Sequence, residues 1–251
     1  MRKILKWTGI LVGVILLGLV ITGLVLHERR PQGTAGPEAD ALAKTMLDAV
    51  NQAAWDSTRY VQWTFTNRHH YLWDREAEWV EVRWSNNRVL LHTPTQKGHA
   101  WQDETAVEGD VANNLLKTAW AFFCNDSFWL AAFNKVFDEG TQRQLVPQPD
   151  GSDALLVTYA SGGVTPGDSY LWLLDENGLP QAWKMWVSVI PVGGLSFTWE
   201  NWKELSTGAM VALDHKNQLA NVALTNVRGG ISLPDIGVTG NPFAKAELPA
   251  K

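Results

Sequence analysis

Two neighbouring segments, YLWLL at 170–174 and AWKMWV at 182–187, carry apolar side chains at nearly every position. Successive residues of a strand point to opposite faces, so a strand that is apolar throughout must be covered on both sides. One face of this hairpin can pack on helices. The other requires the far wall of a curled sheet, a second subunit, a membrane or a bound apolar molecule. Strand 195–200 alternates instead, with Phe197 and Trp199 set against Ser196, Thr198 and Glu200.

The rest of the chain supplies both kinds of partner. RYVQWTFT, HHYLWD, EWVEVRW and NRVLLHT follow one another from residue 59 with short polar breakers, the pattern of an antiparallel meander. After Gly140 come TQRQLV, ALLVTYA, DSYLWLLD, QAWKMWVSVI, LSFTWENWKEL, AMVALDHK and NVALTNVR. Before the meander, Leu42, Met46, Val50 and Ala54 recur every four residues and predict a helix from Glu38 to about Trp55. In the middle, Val111–Phe123 and Asp126–Phe137 have helical periodicity, and Asp110, Asn125 and Asp126 stand where N-caps belong. Roughly eleven strands and three helices result, a mainly β (α+β) chain.

Fourteen of the 251 residues are tryptophan, twelve of them between Trp63 and Trp202. Large amphipathic rings suit a dense core and also the wall of a pocket that holds an apolar ligand near water. Trp63, Trp73, Trp129, Phe133, Trp172, Trp186 and Trp199 are the candidate lining residues for such a pocket between the sheet and the middle helices.

The first thirty residues form a separate unit. Trp7–Leu26 is twenty residues without a charge, enough to span a bilayer, and it ends in His-Glu-Arg-Arg rather than a cleavage signal. This predicts an uncleaved signal anchor; cleavage within GTAGPEADA is the alternative. Arg2, Lys3 and Lys6 before the span against Arg29 and Arg30 after it favour a cytoplasmic N-terminus, so the expectation is a single-pass protein of a bacterial inner membrane with its bulk in the periplasm or outside the cell. Residues 31–38 read as a linker, 39–230 as the β domain and 231–251 as a C-terminal tail.

Removing the five basic residues and Glu28 of the first thirty from totals of 21 and 26 leaves 16 basic and 25 acidic side chains, an excess of negative charge that argues against a nucleic-acid partner. With Cys124 as the only cysteine, neither an intramolecular disulfide nor a lipid anchor at a cysteine after the apolar run is possible.

Recognisable catalytic signatures are missing: there is no P-loop, HExxH, GxSxG, CxxC or Rossmann glycine pattern. His69 and His70 are adjacent, so a regular strand points them to opposite faces and they cannot jointly chelate one ion. Asp126 reads as a helix cap and Asp168, after Pro166-Gly167, as the closure of a turn. Cys124 reads as a small buried hydrophobe. Neither a cofactor nor a metal site is expected, and no residue is assigned as catalytic.

Taken in order, a membrane-targeting segment, a helix, a meander, inserted middle helices and a long run of antiparallel strands resemble the periplasmic lipoprotein-carrier and lipoprotein-receptor superfamily. That resemblance implies a strongly curved antiparallel sheet, an incomplete barrel, whose apolar concave face is covered by helices. The blocks TRYVQWTFTNRHHYLWD, NDSFWLAAFNKVFDEGT, LLVTYASGGVTPGDSYLWLLDENGLPQAWKMW and FTWENW resemble a family of uncharacterised bacterial exported proteins. The chain departs from a soluble carrier in its expected tether and from the receptor in lacking an acylated cysteine. The leading expectation is a non-catalytic, membrane-anchored binding protein for a lipid or acyl chain. The alternatives are an envelope enzyme using Asp126, Asp168 or His70 as acid or base, and an envelope interaction or sensor protein without a ligand.

Overall fold

The computed structural model describes residues 27–244 together with Gly23 and Ala246. The expected membrane helix lies outside the described residues, apart from Gly23; among the described residues no helix is long and apolar enough to cross a membrane. The mainly β class holds, with the strands divided between two antiparallel sheets, neither of which closes into a barrel.

The larger sheet has nine strands: β1 (Tyr60–Phe65), β2 (His69–Asp74), β3 (Trp79–Trp84), β4 (Asn87–His92), β5 (Lys97–Gln102), β6 (Thr105–Val107), β12 (Glu200–Glu204), β13 (Met210–Lys216) and β14 (Asn221–Gly230), in the order β12-β13-β14-β1-β2-β3-β4-β5-β6. The smaller sheet has five: β7 (Thr141–Pro147), β8 (Asp153–Tyr159), β9 (Ser169–Leu174), β10 (Pro180–Trp186) and β11 (Leu195–Thr198), ordered β11-β10-β9-β8-β7. Helices α1 (Pro37–Ala49) and α2 (Gln52–Ser57) precede the meander, and α3 (Gly109–Ala131) joins β6 to β7 through a single 3-10 turn at Ala132–Lys135.

Three expectations are corrected. The strand count rises because Lys97–Gln102 and Thr105–Val107 form the meander's outer hairpin, which His, Gly and charged residues disguise, and because 195–205 divides in two. Trp199 is the crossing point: β11 before it belongs to one sheet and β12 after it to the other. The helix expected over 38–55 breaks at Asn51, which takes the left-handed conformation with φ 56° and accepts a hydrogen bond from the Ala54 amide. The two middle helices are one continuous helix, so Asp126 is not a cap. Its carboxylate is held by groups from β2 and does not compete for the helix backbone, which removes the usual reason for Asp to end a helix.

The requirement that the β9–β10 hairpin be covered twice is met by two different elements. Its inner face carries Trp172 and Trp183, buried with Trp199 against Trp129 of α3. Leu171, Leu156, Ala154 and Val146 form a second apolar layer on the outer face, with Leu173 and Trp186 packed on it. There the chain from Glu28, at the end of the first thirty residues, to Thr34, in the expected linker, is strapped to the sheet. Thr34 bridges Leu145 with two backbone hydrogen bonds, Glu28 donates its amide to the Gly193 carbonyl, Trp186 Nε1 donates to the Glu28 carbonyl at 2.7 Å, and Lys184 pairs with the Glu28 carboxylate. The expected tail also joins the fold: Ile236 and Phe243 pack with Leu72, Trp79, Leu90 and Trp101 on the outer face of the larger sheet.

The β4–β5 pairing depends on one glycine. A Cβ on Gly98 would stand 1.9 Å from the Leu90 carbonyl oxygen, in rigid backbone on the neighbouring strand. Gly98→Ala is therefore expected to destabilise the protein by about 1–3 kcal/mol through strain, read as a lower denaturation midpoint with unchanged slope in urea unfolding.

Candidate functional site

Helix α3 has two working faces. Trp120, Phe123, Cys124, Ser127, Phe128 and Ala131, three or four residues apart, line one wall of a cleft of about 910 Å³. The cleft is shared with Trp55, Asp56, Trp73 and Arg75 at one end, with Tyr159, Tyr170, Trp183 and Met185 along the smaller sheet, and with the loops 161–165 and 187–190 at the other end. Its size falls within the roughly 300–1,000 Å³ of small-molecule sites. The floor is a mesh of rings: Trp129 meets Trp183 edge-on at 4.9 Å and Phe128 lies 4.8 Å from Tyr170. Val164 and Val189, both exposed, flank the loop end.

Of the seven candidate lining residues, Trp73 and Trp129 border the cleft. Trp63, Trp172, Trp199 and Phe133 lie at 0–1% exposure in the core. Trp186 belongs to the opposite face of the smaller sheet, against the N-terminal strap. Tyr170, Trp183 and Met185 were legible only as strand residues, because one strand's alternation does not tell which face meets a helix. The helical stripe Trp120, Phe123, Ser127, Phe128 was the available signal for the other wall.

The second face of α3 is tied to the larger sheet by a buried polar network. Tyr71 donates its hydroxyl to Asp126 Oδ2 at 2.6 Å, His69 Nδ1 lies 2.7 Å from the same oxygen, and Asn125 Nδ2 donates to Oδ1 at 2.8 Å. The His69 ring also stacks on Phe122 at 3.9 Å. Burial raises the pKa of Asp126 above the usual carboxylate range, and hydrogen bonds from Tyr71, Asn125 and His69 oppose that shift. Burial, with Asp126 beside it, raises that of Tyr71.

The other chemistry-bearing residues are dispersed. His70 points away from His69, as adjacent strand positions require, and its Nδ1 lies 3.0 Å from Thr64 Oγ1. Asp168 borders the cleft, but its Oδ1 accepts the Ser188 amide at 2.8 Å, so it ties the glycine-rich loop to the β10–β11 connection rather than closing its own turn. Of Asp126, Asp168 and His70, only Asp168 reaches the cleft. Burial pushes the Cys124 thiol up to about 12, which leaves it an inert part of the wall. Among the described residues no group of three or more His, Cys, Asp or Glu side chains is placed to hold a metal ion.

Tyr71→Phe leaves a buried carboxylate short of one donor and is expected to cost about 1–3 kcal/mol in urea unfolding. The pH dependence follows from the raised native pKa of Asp126. The native state holds that proton more tightly than the unfolded chain, so stability from this group is present at low pH and lost as pH rises from the unfolded value of about 3.9 through the native one. Unfolding curves of wild type and Asp126→Asn, compared point by point over that window, are expected to diverge in the variant's favour as pH rises.

No protein-family model matches the chain, and no curated protein matches it. Among solved structures it is similar to the crystal structure of a DUF1329 family protein from Desulfovibrio piger, at 10% identity and a TM-score of 0.42, over 80% of this chain and 95% of that one.

Proposed function

We propose that the protein is a non-catalytic binding protein that holds a lipid or acyl chain in the cleft between α3 and the smaller sheet. One observation carries this reading: the cleft is walled by Trp73, Trp120, Phe123, Phe128, Trp129, Tyr170 and Trp183, with about 910 Å³ of space between them. Each methylene moved from water into such a site contributes about 0.8 kcal/mol, so a chain of ordinary length needs no catalytic machinery to be retained.

The setting fits a ligand drawn from a bilayer. The chain enters the domain along the outer face of the smaller sheet, where Glu28 bonds to Gly193. That contact lies a few residues beyond Val189, 72% exposed at the loop end of the cleft. With residues 7–26 as a single-pass anchor in a bacterial inner membrane, the loop end would be held near the membrane surface, on its periplasmic or outer side. The dispersal of Asp126, Asp168 and His70 gives no support to acid–base catalysis at this site.

Ser127 faces the cleft from the middle of the α3 stripe and is only partly buried, so Ser127→Trp fills the site without opening the core. The full-length chain purified from membrane-containing cells is expected to carry a stoichiometric acyl lipid by native mass spectrometry and solvent extraction. Ser127→Trp is expected to lose about tenfold in occupancy, a change of about 1.4 kcal/mol, with its unfolding midpoint kept. Equal lipid content in both proteins would sink the proposal.

A further inference from the structure

The cleft's aromatic end contains an arginine whose charge the chain itself only half satisfies. Arg75 follows β2 and lies between two indoles, 4.5 Å from the Trp55 ring and 5.5 Å from the Trp73 ring. Its Nη1 donates to the Trp55 and Thr58 carbonyls at the C-terminal end of α2, where helix carbonyls favour a cation. Nε is buried without a partner, and Nη2 makes no hydrogen bond among the described residues. No carboxylate lies within ion-pair distance of Arg75 among the described residues; Asp56, which also lines this end, is the neighbour whose charge it feels, and Gln52 Nε2 donates to that carboxylate.

Two other arginines of this chain show what the idle edge is shaped for. Arg59 holds Asp74 through Nε and Nη2 at 3.1 and 2.9 Å, and Arg83 holds Glu81 through the same two nitrogens at 2.9 and 3.3 Å. That side-on fork matches the two oxygens of a carboxylate. In Arg75 the corresponding fork has no partner among the described residues, and it belongs to a residue of the cleft wall. Burial lowers the pKa of Arg75, yet a guanidinium remains charged at any physiological pH.

Further polar groups share its situation. Gln52 Oε1 and Trp73 Nε1 are also buried without hydrogen-bond partners among the described residues, and both belong to residues that line this cleft. A purely apolar occupant offers nothing to the Arg75 guanidinium beside them, at a cost that a ligand with an anionic head avoids.

We infer that Arg75 is the head-group residue of the cleft and that the ligand is an acyl chain ending in a carboxylate, its head on the Nε–Nη2 fork between Trp55 and Trp73 and its tail along Phe123, Phe128 and Trp183. The inference rests on the acyl-binding reading above and narrows it from any lipid to an anionic single-chain amphiphile. Nη2 is the first contact, and a small turn of the side chain brings the sealed Nε into the pair.

The test uses the full-length chain in its membrane, with photoactivatable hexadecanoic acid and photoactivatable hexadecanol supplied at equal membrane content, and labelled peptides mapped by mass spectrometry. The acid is expected to label the α3 and β10 cleft peptides about tenfold more than the alcohol. Arg75→Gln is expected to bring the acid down to the alcohol's level while labelling by the alcohol stays unchanged. Equal labelling by the two probes in wild type would overturn the head-group assignment and leave the cleft reading standing. Absence of cleft labelling by either probe would overturn both. Should Arg75→Gln fail to accumulate because α2 loses its carbonyl partner, the wild-type ratio of acid to alcohol decides the matter alone.

Discussion

Everything in this fold depends on keeping the indoles on the inner faces of two sheets out of water. Trp172, Trp183 and Trp199 lie within 5.0–5.1 Å of one another, a three-ring cluster at the place where the chain passes from the smaller sheet to the larger. Their indole nitrogens have no hydrogen-bond partner among the described residues, and neither do those of Trp63 and Trp202. The cost of each orphan donor is about 1–3 kcal/mol. Burying a ring of 150–250 Å² at about 25 cal/mol per Å² returns roughly 4–6 kcal/mol, so burial wins at each site and the cluster can tolerate its own unsatisfied groups. His215 is drawn in with it, 4.4 Å from Trp199, and burial lowers its pKa to about 4, which keeps it neutral among the rings.

Helix α3 is the element that closes this arrangement, and it does so asymmetrically. Toward the larger sheet it presents Asp126, whose hydrogen bonds with Tyr71 and His69 of β2 fix the helix in rotation and in register. Toward the smaller sheet it presents a stripe of rings that meets Trp183 and Tyr170 only in part, and the cleft is the space left between them. A helix held by apolar contacts alone could roll until that space closed. The contacts of Asp126 with β2 oppose such a roll. At the aromatic end Arg75 is bound through one nitrogen to the Trp55 and Thr58 carbonyls.

Much of the local structure was legible because it follows from short-range periodicity. The meander, the hairpin apolar on both faces and the helical stripe of α3 each appear as a repeat of two or of three to four residues. The failures share a cause. Asn125 and Asp126 look like a helix start because small polar side chains usually compete for backbone amides, and here a tertiary contact removes that competition. The strand 195–205 looks continuous because nothing local marks Trp199 as the point where it changes sheets. Residues 31–38 read as a linker, and the contacts of Glu28 and Thr34 with the smaller sheet are not legible locally because their partners, Gly193, Trp186 and Leu145, are more than a hundred positions away.

By itself the sequence determined a mainly β chain, dense in tryptophan and acidic beyond residue 30, with a hairpin that must be covered twice and no recognisable catalytic motif. Only the tertiary structure decided which tryptophans are core and which are wall, that Asp126 anchors a helix rather than caps one, and that Arg75 stands in the cleft with its Nε and Nη2 donors unused among the described residues. The reason is geometric: alternation along a strand says that a side chain has a face, whereas what that face meets is set by elements that the chain supplies from far away.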